Sequence, residues 1–454
     1  MNTVPAETVE PLAERQLLVL GMGVTGLSVA RWCARSGVTA VFADSRPAAP
    51  AADAIAELLP QAERLSGAFP ASLPAGTTEV IVSPGVPLDA PILAEAARSG
   101  IAASSDIDLF IAECAAPVLG VTGSNGKSTV TSLTATMLQA AGVRAVAGGN
   151  LGTAALDLLG TDAEVIVLEL SSFQLERSGI LPLHAAAILN LTPDHLDQHG
   201  DMAAYAAAKQ RIYGACRRAI VNRDAALAAP QPEAGVATTR FGLSQPSPED
   251  WGVIDTDDGQ WIARGSFPVM PIAALPLTGR HNVLNVLAAF ALADTFDVPL
   301  DGLIAGAQVF PGLPHRMQRV PSDDGIVWVN DSKATNEAAA MASINSIDGR
   351  LVLIAGGDAK NAELKDLARC LEDKDVLAIV SLGKDQAVLA AALAKVGLTA
   401  KPAADMEEAV RTAAQYAAPG DTVLLAPACS SLDMYANFAA RGAAFAAAVG
   451  ALSA

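Results

Sequence analysis

Residues 120–129 read GVTGSNGKST, and their types and spacing describe a cradle for phosphate. Glycines at 120, 123 and 126 let successive backbone N–H groups turn toward one anion. Lys127 sets a point charge against β and γ oxygens, and the Ser128 hydroxyl can bind Mg²⁺. A strict Walker A pattern asks for glycine five positions before Gly126, where Val121 stands, so the loop is a variant that keeps the phosphate chemistry. The metal of a nucleoside triphosphate also needs an acid. Glu169 ends the apolar run that starts at Val165 and is the natural ligand, although a carboxylate at a strand end is ordinarily just solvated, so its assignment depends on the loop.

A second glycine loop, Gly21-Met22-Gly23-Val24-Thr25-Gly26, follows the run 16–20, and Asp44 ends the next strand-like run. This is a dinucleotide fingerprint in its proper context, and it supports a diphosphate at a helix N-terminus better than it supports nicotinamide. The bland reading is a tight strand-to-helix turn that holds nothing. His195 and His199 lie four apart in NLTPDHLDQH (190–199), but the glutamate of a zinc-protease helix is absent. His195 reads as a ligand for a second Mg²⁺ or as a substrate contact, and His199 and His184 as structural or surface residues.

These groups need rigid elements to hold them. Short apolar runs at 16–20, 40–43, 79–82, 118–121, 165–170 and 186–189 alternate with Ala-rich helical stretches, the signature of buried parallel strands in an α/β chain. Beyond residue 312 the pattern resumes with 325–329, 351–355, 377–381 and 422–425, so a third βαβ set closes the chain. The stretches 230–265 and 267–277, rich in Pro, Asp and Gly, break the alternation and predict irregular or hairpin structure. Boundaries fall near 104–108 and 311–313, where turn residues interrupt the periodicity.

The 454 residues are enough for about three domains, each with its own core. Hydrophobic residues make up 51% and charged residues 17%, which argues against disorder. Thirty Lys and Arg against forty-eight Asp and Glu leave a net charge of −18, a poor match for a nucleic acid backbone. Five dispersed cysteines read as free thiols of a reducing compartment. Residues 16–30 could pass for a signal-peptide core, but Glu7, Glu10 and Glu14 against one Arg15 give the wrong flanking charge. No run is long enough to span a membrane. A cytoplasmic monomer is expected.

Taken in order, GVTGSNGKST (120–129), LELSSFQLE (168–176), NLTPDHLD (190–197), YAAAKQRIY (205–213), TGRHNVLN (278–285), GLPHR (312–316) and NDSKATN (330–336) resemble the Mur ligases across essentially the whole chain. GGDAK (356–360) and APACSSLDMYANFAARG (426–442), with Ser83-Pro84-Gly85, resemble the branch that adds D-glutamate to UDP-N-acetylmuramoyl-L-alanine. The D-N-P-R motif of the diamino-acid-adding branch is absent from the sequence.

The resemblance implies three α/β domains, each on a mostly parallel sheet flanked by helices: a Rossmann-like UDP-binding domain (1–106), a P-loop ATP-binding domain (107–312) and a Rossmann-like amino-acid-binding domain (313–454). It implies that Val24, Thr25, Asp44, Ser45, Arg46 and Ser83 meet the UDP moiety, and that Asn150, Gln174 and His195 meet the rest of that substrate or its metal. Gly123, Ser124, Asn125, Gly126, Lys127, Ser128 and Thr129 would hold the ATP phosphates, with Asn282, Asn285, Arg316 and Asp331 on adenine and ribose. Lys333, Thr335, Lys360, Ser431, Leu432 and Phe438 would hold D-glutamate. Lys209 matches the position carbamylated by CO₂, and two Mg²⁺ ions are implied, one on Ser128 and Glu169, the other on His195 and the Lys209 carbamate. The implied reaction activates a carboxylate as an acyl phosphate, which the amino acid then attacks.

Other readings remain at this stage: a different ligase sharing the ATP domain, such as folylpolyglutamate synthase, a nicotinamide-dependent dehydrogenase built on 21–26, or a nucleotide-sensing module without turnover.

Overall fold

The computed structural model describes residues 15–225, 235–277, 279–360 and 362–452. Gln16–Leu20 is apolar after its first residue and buried along its length, so it has no solvent face and can only be an interior strand. It pairs in parallel with Thr39–Asp44 on one side and Glu79–Val82 on the other. Arg64–Ser66 and Ala102–Ser104 complete a five-stranded sheet in the order 3-2-1-4-5. The order reverses beside the first strand, and that switch point opens a crevice at the carboxyl ends, where the 21–26 loop and Ser83 lie.

The central sheet has nine strands. Ala145–Gly149, Val165–Glu169, Val118–Thr122, Ala185–Ile188, Arg218–Asn222 and Ala237–Phe241 run parallel in that spatial order. The Pro- and Asp-rich stretch then forms an antiparallel meander of Trp251–Thr256, Gly259–Arg264 and Phe267–Pro271. Part of the expected irregular region, 230–234, lies outside the described residues. Phe267–Pro271 is a strand despite its prolines, which an edge position tolerates.

The last sheet has six strands: Gln318–Val320, antiparallel at its edge, then Val327–Asn330, Thr422–Leu425, Leu351–Gly356, Val376–Leu382 and Lys401–Pro402 in parallel. No helix among the described residues is long and apolar enough to cross a membrane.

The cores show which parts share their packing. One continuous apolar cluster runs from Val29 and Trp32 of the first unit through Ile107 and Phe110 to Leu156, Leu168 and Tyr205 of the second. The last sheet keeps its apolar clusters to itself. It is joined through the segment after Leu300–Val309, where Gly312, His315 and Met317 have φ of 85°, 61° and 47°. Left-handed backbone at two non-glycine residues costs on the order of 1–3 kcal/mol each and persists only where surroundings enforce it. Here Lys333 N–H donates to the His315 carbonyl (3.1 Å) and Met317 N–H to Asp331 Oδ1 (3.1 Å), and these bonds aim Arg316 back at the central sheet.

Candidate active site

The buried strand Val118–Thr122 delivers the phosphate loop to the helix Lys127–Ala140. Gly126 has φ 83°, and a Cβ there would stand 2.4 Å from Asn285 Oδ1, so both the turn and its neighbour require glycine. The loop is braced from outside. Asn190 accepts from Asn125 N–H through Oδ1 (2.8 Å) and donates Nδ2 to the Asn125 carbonyl (3.0 Å). Ser124 Oγ donates to the Thr192 carbonyl (2.9 Å) and lies 3.0 Å from the Tyr205 hydroxyl. Lys127 Nζ folds back on the Gly123 and Ser124 carbonyls, 2.8 Å from each, and burial lowers its pKa.

Ser128 Oγ donates to Glu169 Oε2 at 2.5 Å, Asn150 Nδ2 to Glu169 Oε1 at 2.9 Å, and Arg316 Nη2 to Ser128 Oγ at 2.7 Å. The Glu169 carboxylate and Ser128 hydroxyl are oxygen donors on adjacent elements, which suits Mg²⁺ held by one carboxylate and completed by substrate phosphates. Among the described residues no cluster of three or more His, Cys, Asp or Glu side chains is arranged to hold an ion by itself.

Lys209, near the end of Met202–Gln210, is buried. Its Nζ donates to the Gly123 carbonyl (3.0 Å) and Thr122 Oγ1 (3.3 Å) and lies 4.8 Å from the Tyr205 ring centroid. Burial, then the Lys127 charge, holds its pKa well below the ordinary lysine value. Lys209 is therefore not a surface lysine. His195 has φ 54° and a half-exposed ring that meets Phe173 edge-on at 5.1 Å. His199 is structural: its buried ring stacks on Phe173 at 5.3 Å and its Nε2 lies 3.0 Å from Ser172 Oγ.

One cleft of about 400 Å³ gathers the phosphate loop, Asn150, Glu169, His195 and Lys209 with Asn282, Asn285, Arg316, Asp331, Lys333 and Thr335 from later in the chain. Phe241, Leu277, Leu313, Met317 and Ala339 add apolar surface to its lining. Lys333 lies 4.1 Å from the centre of the Phe438 ring, and burial with the neighbouring Arg316 lowers its pKa to about 8.

Other expected residues lie elsewhere. Asp44 accepts from Met22 N–H (2.8 Å) and from Arg46, whose bonds hold its carboxyl far below the usual range, so Asp44 shapes the first glycine loop. Ser83 is buried against Gly21, while Val24, Ser45 and Arg46 are exposed, with Thr25 part-buried. Gln174 closes a capping box with Ser171 at the start of Ser172–Arg177, accepting through Oε1. Asn150 holds Glu169. Lys360 is exposed at φ 49°, Leu432 is exposed and Ser431 is buried; all three sit on loops beyond strand ends of the last sheet, outside this cleft.

Sequence reasoning passed over Asn190, Tyr205, Asp194, Phe173 and Arg441. All five lie inside motifs it had singled out but have no distinctive spacing. Arg441 stands in an Ala-rich helix, Phe438–Leu452, and is buried with bonds to Ser332 and the Cys429 carbonyl, joining the loops beyond two strands.

Three family models match the chain: "Mur ligase MurD-like, N-terminal domain" over residues 15–105, "Mur ligase middle domain" over 121–293, and "Mur ligase, glutamate ligase domain" over 315–429. UDP-N-acetylmuramoylalanine--D-glutamate ligase of Pseudomonas aeruginosa is 43% identical over 436 residues, covering 95% of this chain and 97% of that protein. The enzyme of the same name from Methylococcus capsulatus is 42% identical over 438 residues, covering 96% and 95%. Among solved structures, UDP-N-acetylmuramate-alanine ligase from Thermotoga maritima aligns with a TM-score of 0.60 at 17% identity, covering 96% of this chain and 99% of that one. A pseudomurein peptide ligase from Methanothermus fervidus aligns at 0.54 and 18%, covering 90% and 96%, and the two structures share the fold. With near-complete coverage at that identity and all three models in order, the chain belongs to the Mur ligase family.

Proposed function

We propose that this chain is an ATP-dependent ligase joining D-glutamate to the alanyl carboxylate of UDP-N-acetylmuramoyl-L-alanine, in cytoplasmic peptidoglycan precursor synthesis, acting as a monomer. The observation that carries the reading is the cleft itself: the Lys127 loop and Glu169 of the central sheet face Lys333 of the last one. Residues 1–106 would bind UDP through the 21–26 loop and Ser83, 107–312 would bind ATP, and 313–454 would bind glutamate.

A carboxylate does not acylate amines, so it is first phosphorylated by the γ-phosphoryl group of ATP, and ADP leaves. That step brings anions together, and Lys127 with the loop N–H groups supplies the opposing field. The amine of D-glutamate then attacks the acyl phosphate, phosphate departs from the tetrahedral intermediate, and the amide forms. Lys333, Thr335, Lys360 and Ser431 suit the two glutamate carboxylates. Mg²⁺ held by Ser128 and Glu169, and a second ion at His195, would neutralise phosphate charge when bound. Lys209, buried beside Lys127 and held neutral more readily than an ordinary lysine, is poised to take up CO₂ as a carbamate.

Phosphate release measured with ATP, UDP-N-acetylmuramoyl-L-alanine and a panel of amino acids tests the reading: D-glutamate should exceed every other by orders of magnitude, and equal rates with L-alanine would overturn it. Mass analysis in bicarbonate should show Lys209 heavier by one carbon dioxide, and an unmodified amine in fully active enzyme would refute the carbamate.

A further inference from the structure

Arg177 closes the short helix Ser172–Arg177 and faces both of the first two units. Its Nη2 donates to the Val86 carbonyl at 2.5 Å and its Nη1 to the Phe173 carbonyl at 3.0 Å, and its guanidinium carbon lies 6.0 Å from the Phe173 ring centroid. The side chain is 7% exposed, and its one carboxylate neighbour, Glu176, stands 3.5 Å away. A buried cation held mainly by carbonyls, with its Nε left without a hydrogen-bond partner, adds little net stability, so its location is better explained by what it holds.

What it holds, at one end, is a turn. Val86 N–H donates to the Ser83 carbonyl (3.0 Å), closing Ser83-Pro84-Gly85-Val86, and that turn packs on Gly21, where a Cβ would stand 2.7 Å from Ser83 Oγ. At the other end is Phe173, whose ring abuts His195 and His199 in the wall of the phosphate cleft. The same helix end is pinned further by Ser178 Oγ, 3.0 Å from Ser105 Oγ, and by Gly179 N–H donating to Asp108 Oδ1 (2.8 Å).

We propose that Arg177 is a positioning residue which fixes the Ser83 turn relative to the Phe173–His195 wall, and so sets the span between the uridine diphosphate end of the substrate and the carboxylate that is phosphorylated. The inference rests on the ligase reading above. A substrate gripped at both ends gains from the second grip only when the spacing of the sites matches its length, and a misplacement of about 1 Å costs roughly 10²-fold in rate. Lysine cannot replace the guanidinium, because one ammonium on a flexible stem does not span two fixed carbonyls.

The test compares Arg177→Ala and Arg177→Lys with the parent enzyme on UDP-N-acetylmuramoyl-L-alanine and on N-acetylmuramoyl-L-alanine, which lacks the uridine diphosphate anchor. Both variants should lose about 10- to 100-fold in kcat/KM on the full substrate and stay within about twofold on the fragment. Calorimetry should show the full substrate binding about tenfold more weakly while UDP alone binds as before. Equal losses on both substrates, or none on either, would overturn the proposal. If Arg177→Ala does not fold, Arg177→Lys and Arg177→Gln carry the comparison. A parent enzyme that binds the UDP substrate yet makes no amide would fail the ligase reading, and the two affinities would still decide the role of Arg177.

Discussion

Lys127 and Glu169 belong to one charge network, since Ser128 joins the acid to the start of the lysine's helix. Replacing either by alanine should lower turnover by at least about 10²-fold, as expected for lost charge stabilisation, with the far-ultraviolet spectrum unchanged. Near-normal rates in either variant would remove the ATP-site assignment. Lys333 offers a pH test. Its depressed pKa, about 8, means that it is charged below that value and neutral above it. KM for D-glutamate should therefore rise as pH climbs through about 8, and Lys333→Arg, which stays protonated, should flatten the rise. A KM that falls over the same range would contradict Lys333 as a carboxylate ligand. None of this electrostatic detail is legible in NDSKATN. The motif marks a lysine after a strand, but burial against Phe438 and the approach of Arg316 come from segments outside it that only the fold brings near.

At the scale of elements, the strand–loop–helix of the phosphate site could be read directly, because glycine at fixed offsets between an apolar run and a Ser-Thr pair leaves the backbone few choices. Gly126→Ala should test that reading. It forces a left-handed residue with a side chain against Asn285, at a cost of about 1–3 kcal/mol, and should weaken ATP binding in a titration while leaving UDP affinity unchanged. Unaltered ATP affinity would show that the loop tolerates another geometry. Short edge strands were not legible: Arg64–Ser66, Ala102–Ser104 and Lys401–Pro402 carry no apolar run and exist only because a neighbouring strand offers hydrogen bonds. Phe267–Pro271, read as irregular or hairpin structure, takes the hairpin form: its partner Gly259–Arg264 holds it as an outer strand despite its prolines.

At the scale of the molecule, apolar packing fuses the first two units, whereas the last is joined by the 310–317 segment and by polar contacts such as Arg316 to Ser128 and Asn336 Nδ2 to Asp194 Oδ2 at 3.5 Å. Polar links exchange readily with water and ligand, so the last unit should rotate about 311–313 as substrates come and go. Solution scattering should give a smaller radius of gyration with a nonhydrolysable ATP analogue and the UDP substrate than without them. Identical profiles would argue against the motion. The sequence by itself determined the α/β class, the two glycine loops and the order of motifs, because apolar runs and turn residues act on backbone a few positions away. Only the tertiary structure decided that Arg316 reaches Ser128 across 188 residues, that Lys209 is buried beneath the phosphate loop, and that Arg177 grips a turn 91 residues earlier. Those outcomes depend on which surfaces three packed sheets bring within hydrogen-bonding reach, and no local pattern of residues encodes a distance between distant parts of a chain.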